Sequence, residues 1–300
     1  MITNQVNNVS DFYFAVGKAR AFVEMLKVRL SLLITFSCAF GYMLAVKGKV
    51  DIQTLVMLII GGFLMSGSSA CINQILEVDV DKIMTRTANR PLPTGRLSKT
   101  EVTVFAIICM LISTWILWTF TNPLTVILSL VSMILYGFVY TPLKRIGPIA
   151  VFVGAIPGAL PPLLGWVAAT GNISHEAMII FGIQFIWQFP HFWAIAWVSD
   201  EDYKKAGFKL LPSGGGKDLN TAIQIMTYTM FLIPLGLLPM KFGMTGVDSA
   251  IVVTICGVAF FAQTFSLMKT GSRKSALRIM FGSFLYLPIV QIAYLLDKVS

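Results

Sequence analysis

Nine stretches of this chain carry few or no charged residues and are each long enough to cross a lipid bilayer. About 20 apolar residues in a helix cover the hydrocarbon core, which is about 30 Å thick. The composition agrees, because 56% of the 300 residues are hydrophobic and only 12% are charged. We therefore predict an all-α, polytopic membrane protein with about nine transmembrane helices, forming one integral-membrane domain over residues 1–300. The runs are Leu30–Val46, Ile52–Leu76, Val102–Phe120, Pro123–Tyr140, Ile149–Ala169, Ala177–Ser199, Leu219–Met240, Ser249–Met268 and Ile279–Leu296.

Basic residues are distributed unevenly between the two sides that nine helices would create. All but four of the 23 lysines and arginines fall before the first run or in the even-numbered connections. Loops rich in Lys and Arg are retained on the cytoplasmic side. The pattern predicts a cytoplasmic N-terminal segment, residues 1–26, and a C-terminus outside. Topology and anionic lipid also explain the net charge of +9 without a nucleic-acid partner. The four exceptions are Lys47, Lys49, Lys241 and Lys298.

The start of the chain and the cysteines carry little functional information. The N-terminal residues show neither an apolar signal-peptide core nor an Arg- and Ser-rich transit-peptide pattern. We therefore expect no cleaved targeting segment and favour a bacterial cytoplasmic membrane over an organelle. The four cysteines lie singly within apolar runs, without the paired spacing of a zinc or redox site. We interpret them as small core residues.

Acidic side chains cluster at the end of the second apolar run. Asn73, Glu77 and Asp81 are spaced four residues apart, so they lie on one helix face, while Asp79 points roughly the other way. Like charges at this spacing repel each other unless a cation lies between them. Hard oxygen ligands favour Mg²⁺. The alternative is a solvated helix end whose carboxylates pair with Lys82 or Arg86.

Guanidinium groups follow these carboxylates within one short loop. Arg86 and Arg90 lie close behind Asp81 in the chain, and their side chains can bind phosphate oxygens at two points. A magnesium-bound diphosphate requires carboxylates that hold the metal ion and arginines that neutralise its oxygens. We therefore predict a diphosphate site at this end of the helix.

Two further cytoplasmic connections carry charged residues. Lys144 follows the fourth run, and Asp200, Asp202 and Lys204 follow the sixth. Topology alone accounts for the lysines, but it does not require the acidic residues. We treat Asp200 and Asp202 as a second acidic cluster near the predicted diphosphate site.

A histidine and a proline lie deep within the sixth run. His191 follows Pro190 in an aromatic stretch, and ionisable groups at membrane depth are candidates for function. A proline inside a helix also frees a carbonyl that can face a cavity. The alternative for His191 is a hydrogen bond that packs two helices together. His175 falls in an outer loop, where a surface role is expected.

Four segments resemble the UbiA superfamily of intramembrane prenyltransferases. Asn73 to Asp81 is similar to its Asn-led acidic motif, which Arg86-Thr-x-x-Arg90-Pro-Leu-Pro-x-Gly95 continues. Trp187-Gln-x-Pro-His191-Phe-Trp and Asp202-Tyr-Lys-x-Ala-Gly-x-x-x-Leu-Pro212 resemble the branch that farnesylates haem. The similarity extends from about Lys27 to the end of the chain, and the motifs are more specific together than singly.

This resemblance implies a ring of nine helices around a central cavity, capped by cytoplasmic loops. It implies transfer of a farnesyl group from farnesyl diphosphate to a vinyl group of haem B, with water addition, giving haem O and diphosphate. A haem-processing partner in the membrane is possible in such a pathway. The resemblance implies catalysis by Asn73, Glu77 and Asp81, with Mg²⁺ bound to Glu77 and Asp81. It implies diphosphate binding by Arg86, Arg90, Lys144 and Lys204, and haem binding by His191.

The chain departs from the superfamily pattern at two places. Glu77 stands where Asp is commonest, which keeps the charge and lengthens the side chain. The second Asp-x-x-x-Asp motif is not reproduced by Asp200 and Asp202, so positive charge from Lys204 or Lys144 is an alternative to a second magnesium ion.

Two other functions stay open. One is prenyl transfer to a quinone precursor, against which the His191 segment argues. The other is secondary transport, which an internal inverted repeat would favour.

Overall fold

The computed structural model describes residues 16–214 and 216–299. Within these ranges, nine helices are long and apolar enough to cross a membrane, which confirms the predicted number. The first fifteen residues of the predicted segment 1–26 lie outside the described part, and residues 16–25 are helical. The spans, numbered first to ninth in chain order, are Val28–Ala45, Ile52–Leu76, Lys99–Phe120, Pro123–Leu143, Ile149–Thr170, His175–Val198, Leu219–Lys241, Val247–Thr270 and Arg273–Leu296.

Polar residues begin several of these helices where the apolar runs start. Ser98 and Glu101 form a reciprocal capping box at the third span. Asn122 caps the fourth span directly before Pro123, and Ser272 caps the ninth. Such caps bind backbone N–H groups that have no partner inside the helix. The fourth span begins at Pro123 as predicted, whereas the third and ninth begin three and six residues before their predicted starts because charged residues fill their first turns.

Each spanning helix packs against the next one along the chain, and the ninth packs against the first. The described helices therefore close into a ring, as the resemblance implies. Further contacts join the first span to the fifth and the sixth to the ninth. A small cavity of about 10 Å³ lies between the first, sixth and ninth spans and is lined in part by Gln184 and Gln291. The larger central cavity stays a prediction.

The first and fifth spans approach each other closely because each presents a glycine to the other's backbone. A Cβ on Gly41 would lie 1.9 Å from the carbonyl oxygen of Pro162, and one on Gly165 would lie 1.8 Å from that of Cys38. Small residues allow this close approach between membrane helices. The contact fixes the first span, and with it the residue that precedes it, Lys27.

Polar contacts close the ring between its first, sixth and ninth members. Gln291 donates to Ser37 Oγ at 2.7 Å and to Gln184 Oε1 at 3.0 Å, and Ser37 donates to the same Gln184 oxygen at 2.8 Å. Beyond the ninth span, Lys298 donates to the carbonyls of Met43 and Val46 at the end of the first. These bonds satisfy polar groups that would otherwise be costly to bury.

Candidate active site

The second span ends in the acidic stripe. The helix stops at Leu76, and a short helix, Val78–Asp81, continues it. Backbone bonds from Glu77 to Asn73 and from Asp81 to Glu77, at 3.0 and 2.8 Å, preserve the four-residue spacing across the break. Asn73, Glu77 and Asp81 are 2, 6 and 0% exposed. The Asp79 side chain is 78% exposed, so it points away from the stripe.

Each buried carboxylate of the stripe pairs with a cation from a connection between spans. Lys144 Nζ lies 2.8 Å from Glu77 Oε1. Arg90 donates from one nitrogen to both oxygens of Asp81, at 2.9 and 2.7 Å. Because an unpaired buried charge is costly, these pairs hold the stripe together. The alternative pairing with Lys82 or Arg86 is not what the structure shows, since Lys82 lies 4.0 Å from Asp79 instead.

Lys27 joins this cluster from the start of the first span. Its backbone is left-handed, with φ 47°, and its Nζ donates to Asn73 Oδ1 at 3.1 Å. Burial, together with the positive charges of Arg90 and Lys144, lowers the pKa of Lys27 to about 7. Lys27 is one of the basic residues before the first apolar run, which the positive-inside rule explains by topology alone, so nothing in its local sequence marks it as a site residue.

The fourth span supplies the wall beside the stripe. It ends in a π-helical stretch, Leu135–Tyr140, followed by Thr141–Leu143. Such wide turns occur often at functional sites. Asn73 Nδ2 donates to Glu77 Oε2 and to Thr141 Oγ1, both at 3.0 Å. Lys144 Nζ lies 4.6 Å from the centre of the Tyr140 ring, a cation–π distance.

Asp202 anchors the arginine-bearing loop. Its two carboxylate oxygens accept the backbone N–H groups of Thr85 and Arg86, each at 3.2 Å. Burial raises the pKa of Asp202, but these two N–H donors, the Thr85 side chain and the charge of Lys205 together outweigh it, so the net pKa lies below the usual value. The Arg86 side chain itself is exposed. Asp202 thus positions the loop that carries Arg86.

The other member of the second acidic cluster, Asp200, has different partners. Asp200 is 6% exposed and pairs with Lys204 at 2.9 Å and with Lys217 at 3.2 Å. The Lys204 side chain is 67% exposed. The structure therefore places Lys204 on Asp200, with no bond to Glu77 or Asp81, and its role toward diphosphate stays a prediction.

His191 occupies an aromatic site between the sixth and ninth spans. Its Nδ1 lies 2.9 Å from Ser283 Oγ, and its ring stacks on Trp187 at 4.3 Å between centres. The next residue, Phe192, lies 6.1 Å from Tyr140 between ring centres. Since Tyr140 also contacts Lys144, a continuous line of contacts joins the histidine site to the charged stripe.

The donor atoms of the stripe suit a hard metal ion. Two carboxylates and the Asn73 amide oxygen are oxygen ligands, and Mg²⁺ in proteins is commonly held by one or two carboxylates together with substrate phosphates. No group of three His, Cys, Asp or Glu side chains with metal-binding geometry occurs in ranges 16–214 and 216–299. The residues fit a magnesium ion that is completed by ligands from a bound substrate.

Comparison with known proteins identifies the family. The sequence profile of the UbiA prenyltransferase family matches residues 33–287. The chain belongs to the UbiA prenyltransferase family. It is 52% identical over 280 residues to a protoheme IX farnesyltransferase of Cytophaga hutchinsonii, covering 93% of this chain and 98% of that protein. It is 44% identical to one of Flavobacterium psychrophilum, covering 92% and 94%.

Solved structures of two other proteins share the fold. A digeranylgeranylglyceryl phosphate synthase superposes with a TM-score of 0.78 at 20% identity, covering 93% of this chain and 98% of that one. A UbiA homolog from Archaeoglobus fulgidus bound to DMAPP and Mg²⁺ superposes with a TM-score of 0.66 at 17% identity, covering 91% and 98%. These comparisons confirm the resemblance, the all-α fold and the class of enzyme: the protein is a multi-pass membrane prenyltransferase.

Proposed function

We propose that this UbiA-family enzyme transfers a farnesyl group from farnesyl diphosphate to a vinyl group of haem B, giving haem O and diphosphate within one domain, residues 1–300. The observation that carries the proposal is the pairing of two unlike sites, a charged stripe for diphosphate and a histidine among aromatic rings, joined through Tyr140. The relatives named protoheme IX farnesyltransferase support the same reaction, and they match nearly the full chain.

The donor end of the site would hold the diphosphate at the cytoplasmic rim. Glu77 and Asp81 would hold Mg²⁺, which neutralises charge on the departing diphosphate. Lys144 and Arg90 pair with carboxylates of the stripe, and Lys27 donates to the Asn73 amide oxygen, so each can exchange its present partner for a diphosphate oxygen with little movement. Arg86 is exposed at the rim and free to turn toward the substrate. Cations aimed at developing negative charge lower the barrier most where water is excluded.

The acceptor end would hold the macrocycle. The His191 ring can ligate the haem iron without a covalent bond to the porphyrin. The C1–oxygen bond of the farnesyl group breaks, and its electron pair leaves with the diphosphate. The vinyl π electrons then form the new carbon–carbon bond to C1. Water captures the cation left beside the porphyrin and loses a proton, which completes the hydroxyethylfarnesyl group. A membrane partner that receives the haem also stays a prediction.

The same fold could act on a quinone precursor, which is the second candidate. A quinone precursor has no iron, so the His191 site would then have no ligand to bind. Family membership argues against the transporter alternative, since the matched profile is that of a prenyltransferase family.

The proposed function separates into two binding steps that can be tested independently. His191→Ala should weaken haem binding at least tenfold and leave farnesyl diphosphate binding unchanged, because only the macrocycle meets the imidazole. Arg86→Ala should weaken farnesyl diphosphate binding about tenfold, the loss of one charge-assisted contact. Haem absorbance titration and retention of labelled farnesyl diphosphate in detergent measure the two steps.

The chain offers a matched control for each variant. His175 is exposed at the start of the sixth span, and Arg145 is exposed on the same side as Arg86. His175→Ala and Arg145→Ala should change neither affinity. Haem binding that is unchanged in a folded His191→Ala protein would remove the haem-binding role of His191 and leave it as a residue that packs two helices together.

We propose that the charged stripe faces the cytoplasm of a bacterial cell, with the N-terminus inside and the C-terminus outside. A cysteine tag after Ser300 should then react with an impermeant reagent in intact cells, whereas a tag in the 90–99 loop should react only after lysis, because basic loops are retained inside. Ser300 itself lies outside the described residues. External labelling of the 90–99 loop would reverse the orientation.

A further inference from the structure

The hydroxyl of Ser283 has two hydrogen-bond partners but only one proton. Ser283 Oγ lies 2.6 Å from the carbonyl oxygen of Met280, which can only accept. The hydroxyl proton therefore points at Met280. The second contact, at 2.9 Å between Ser283 Oγ and His191 Nδ1, then needs its proton from the imidazole. Nδ1 is the protonated nitrogen of neutral His191, and Nε2 carries the lone pair.

The surroundings of the imidazole keep this orientation. Trp187 stacks on one face of the ring, with 18° between the planes, and its own Nε1 donates to the backbone carbonyl of Ser283 at 3.1 Å. Phe192 and Phe284 meet the ring edge-on, at 5.7 and 5.2 Å between centres. Ser283 thus holds both aromatic residues of the Trp187–His191 pair, one through its hydroxyl and one through its carbonyl.

The other nitrogen of the imidazole stays accessible. No described residue forms a hydrogen bond to Nε2. This atom is also not fully buried. His191 as a whole is half-buried. The lone pair on Nε2 therefore lies on the open side of the ring, opposite the bond to Ser283.

We propose that Ser283 is a positioning residue for the acceptor, whose hydroxyl fixes His191 in the tautomer that presents Nε2 to the haem iron. The proposal rests on the proposed function, since it takes haem as the substrate. A neutral imidazole binds a metal only through its unprotonated nitrogen, and a hydrogen bond from the other nitrogen fixes the tautomer and makes the ligand more basic. Without Ser283, part of the population would place its proton on Nε2.

The test compares Ser283→Ala with Ser283→Thr in detergent-solubilised, haem-loaded protein. Loss of such a supporting hydrogen bond typically lowers metal affinity about 10- to 100-fold. Ser283→Ala should weaken haem binding by at least tenfold and shift the iron–histidine stretching band of the ferrous complex to lower frequency. Ser283→Thr keeps the hydroxyl and should restore both. Ser129 is the matched control, because it is also buried and donates to the carbonyl three residues earlier, at 2.8 Å.

The outcomes separate this proposal from the proposed function. A Ser283→Ala protein with the band and affinity of the wild type overturns the positioning role. The role is also overturned if Ser283→Thr shows the same loss of haem affinity as Ser283→Ala, or if Ser129→Ala reproduces that loss. A wild-type band that does not depend on His191, with farnesyl transfer intact, also overturns the positioning role but leaves the reaction in place. A His191-dependent band without any transfer of farnesyl to haem overturns the proposed function instead.

Discussion

Replacement of Asp81 by asparagine is expected to lower the rate of farnesyl transfer by about a hundred- to a thousandfold, the usual cost of removing one group that stabilises a charged transition state. Asp81 is fully buried, and both of its oxygens bind Arg90. The change removes the charge that would hold Mg²⁺ and loosens Arg90, while the volume hardly changes. The measurement is haem O formed from haem B and farnesyl diphosphate by purified protein.

Asp79→Asn provides the control for this experiment, because Asp79 lies two residues away and its side chain is 78% exposed. It should keep nearly full activity. Arg90 is partly exposed, so water can solvate it in the Asp81→Asn protein, which should remain folded and inserted. Equal and severe losses from both variants would show that the helix-face argument is wrong.

Replacement of Lys144 by methionine is expected to destabilise the protein by about 3–5 kcal/mol, because it leaves a buried carboxylate without its cation. Lys144 and Glu77 are 11 and 7% exposed at their side chains and lie 2.8 Å apart. Adding Glu77→Gln to the same protein removes the stranded charge and should recover most of that stability. The double variant should still be inactive. Thermal unfolding in detergent without divalent cations measures the stability of each protein.

Lys204→Met is the matched comparison for the Lys144 variant. Lys204 also pairs with an aspartate, at 2.9 Å, but its side chain is 67% exposed. Asp200 is buried but keeps Lys217 as a second cation at 3.2 Å, so this variant should be nearly as stable as the wild type. If the double variant is no more stable than Lys144→Met alone, the buried pair is not the cause of the loss. Magnesium should stabilise Lys144→Met more than the wild type, since it can neutralise Glu77.

Local sequence was sufficient to predict the features that depend on neighbours along the chain. The lengths of the apolar runs predicted the nine spans, because a helix must be long enough for the bilayer. The spacing of Asn73, Glu77 and Asp81 predicted their common face, because hydrogen bonds four residues apart preserve it across the helix break.

Contacts between distant helices could not be predicted in this way. Lys27 reaches Asn73 because the packing of the ring brings the start of the first span beside the end of the second. Asp202 accepts the backbone N–H groups of Thr85 and Arg86 across more than a hundred residues of chain, and backbone donors leave no trace in side-chain spacing. Ser283 had no motif around it, since its partner His191 lies on another span.

The closure of the ring between its first and ninth helices has a consequence for biosynthesis. The ribosome makes the ninth helix last, yet that helix supplies Ser283 to His191 and Gln291 to Ser37 and Gln184. Until it inserts, His191 lacks its contact with Ser283, and the Ser37–Gln184 pair of the first and sixth helices faces lipid or the translocon without Gln291. A nascent chain stalled after eight helices therefore carries the complete Asn73 stripe but no finished histidine site, and a quality-control protease could recognise it by that open polar edge.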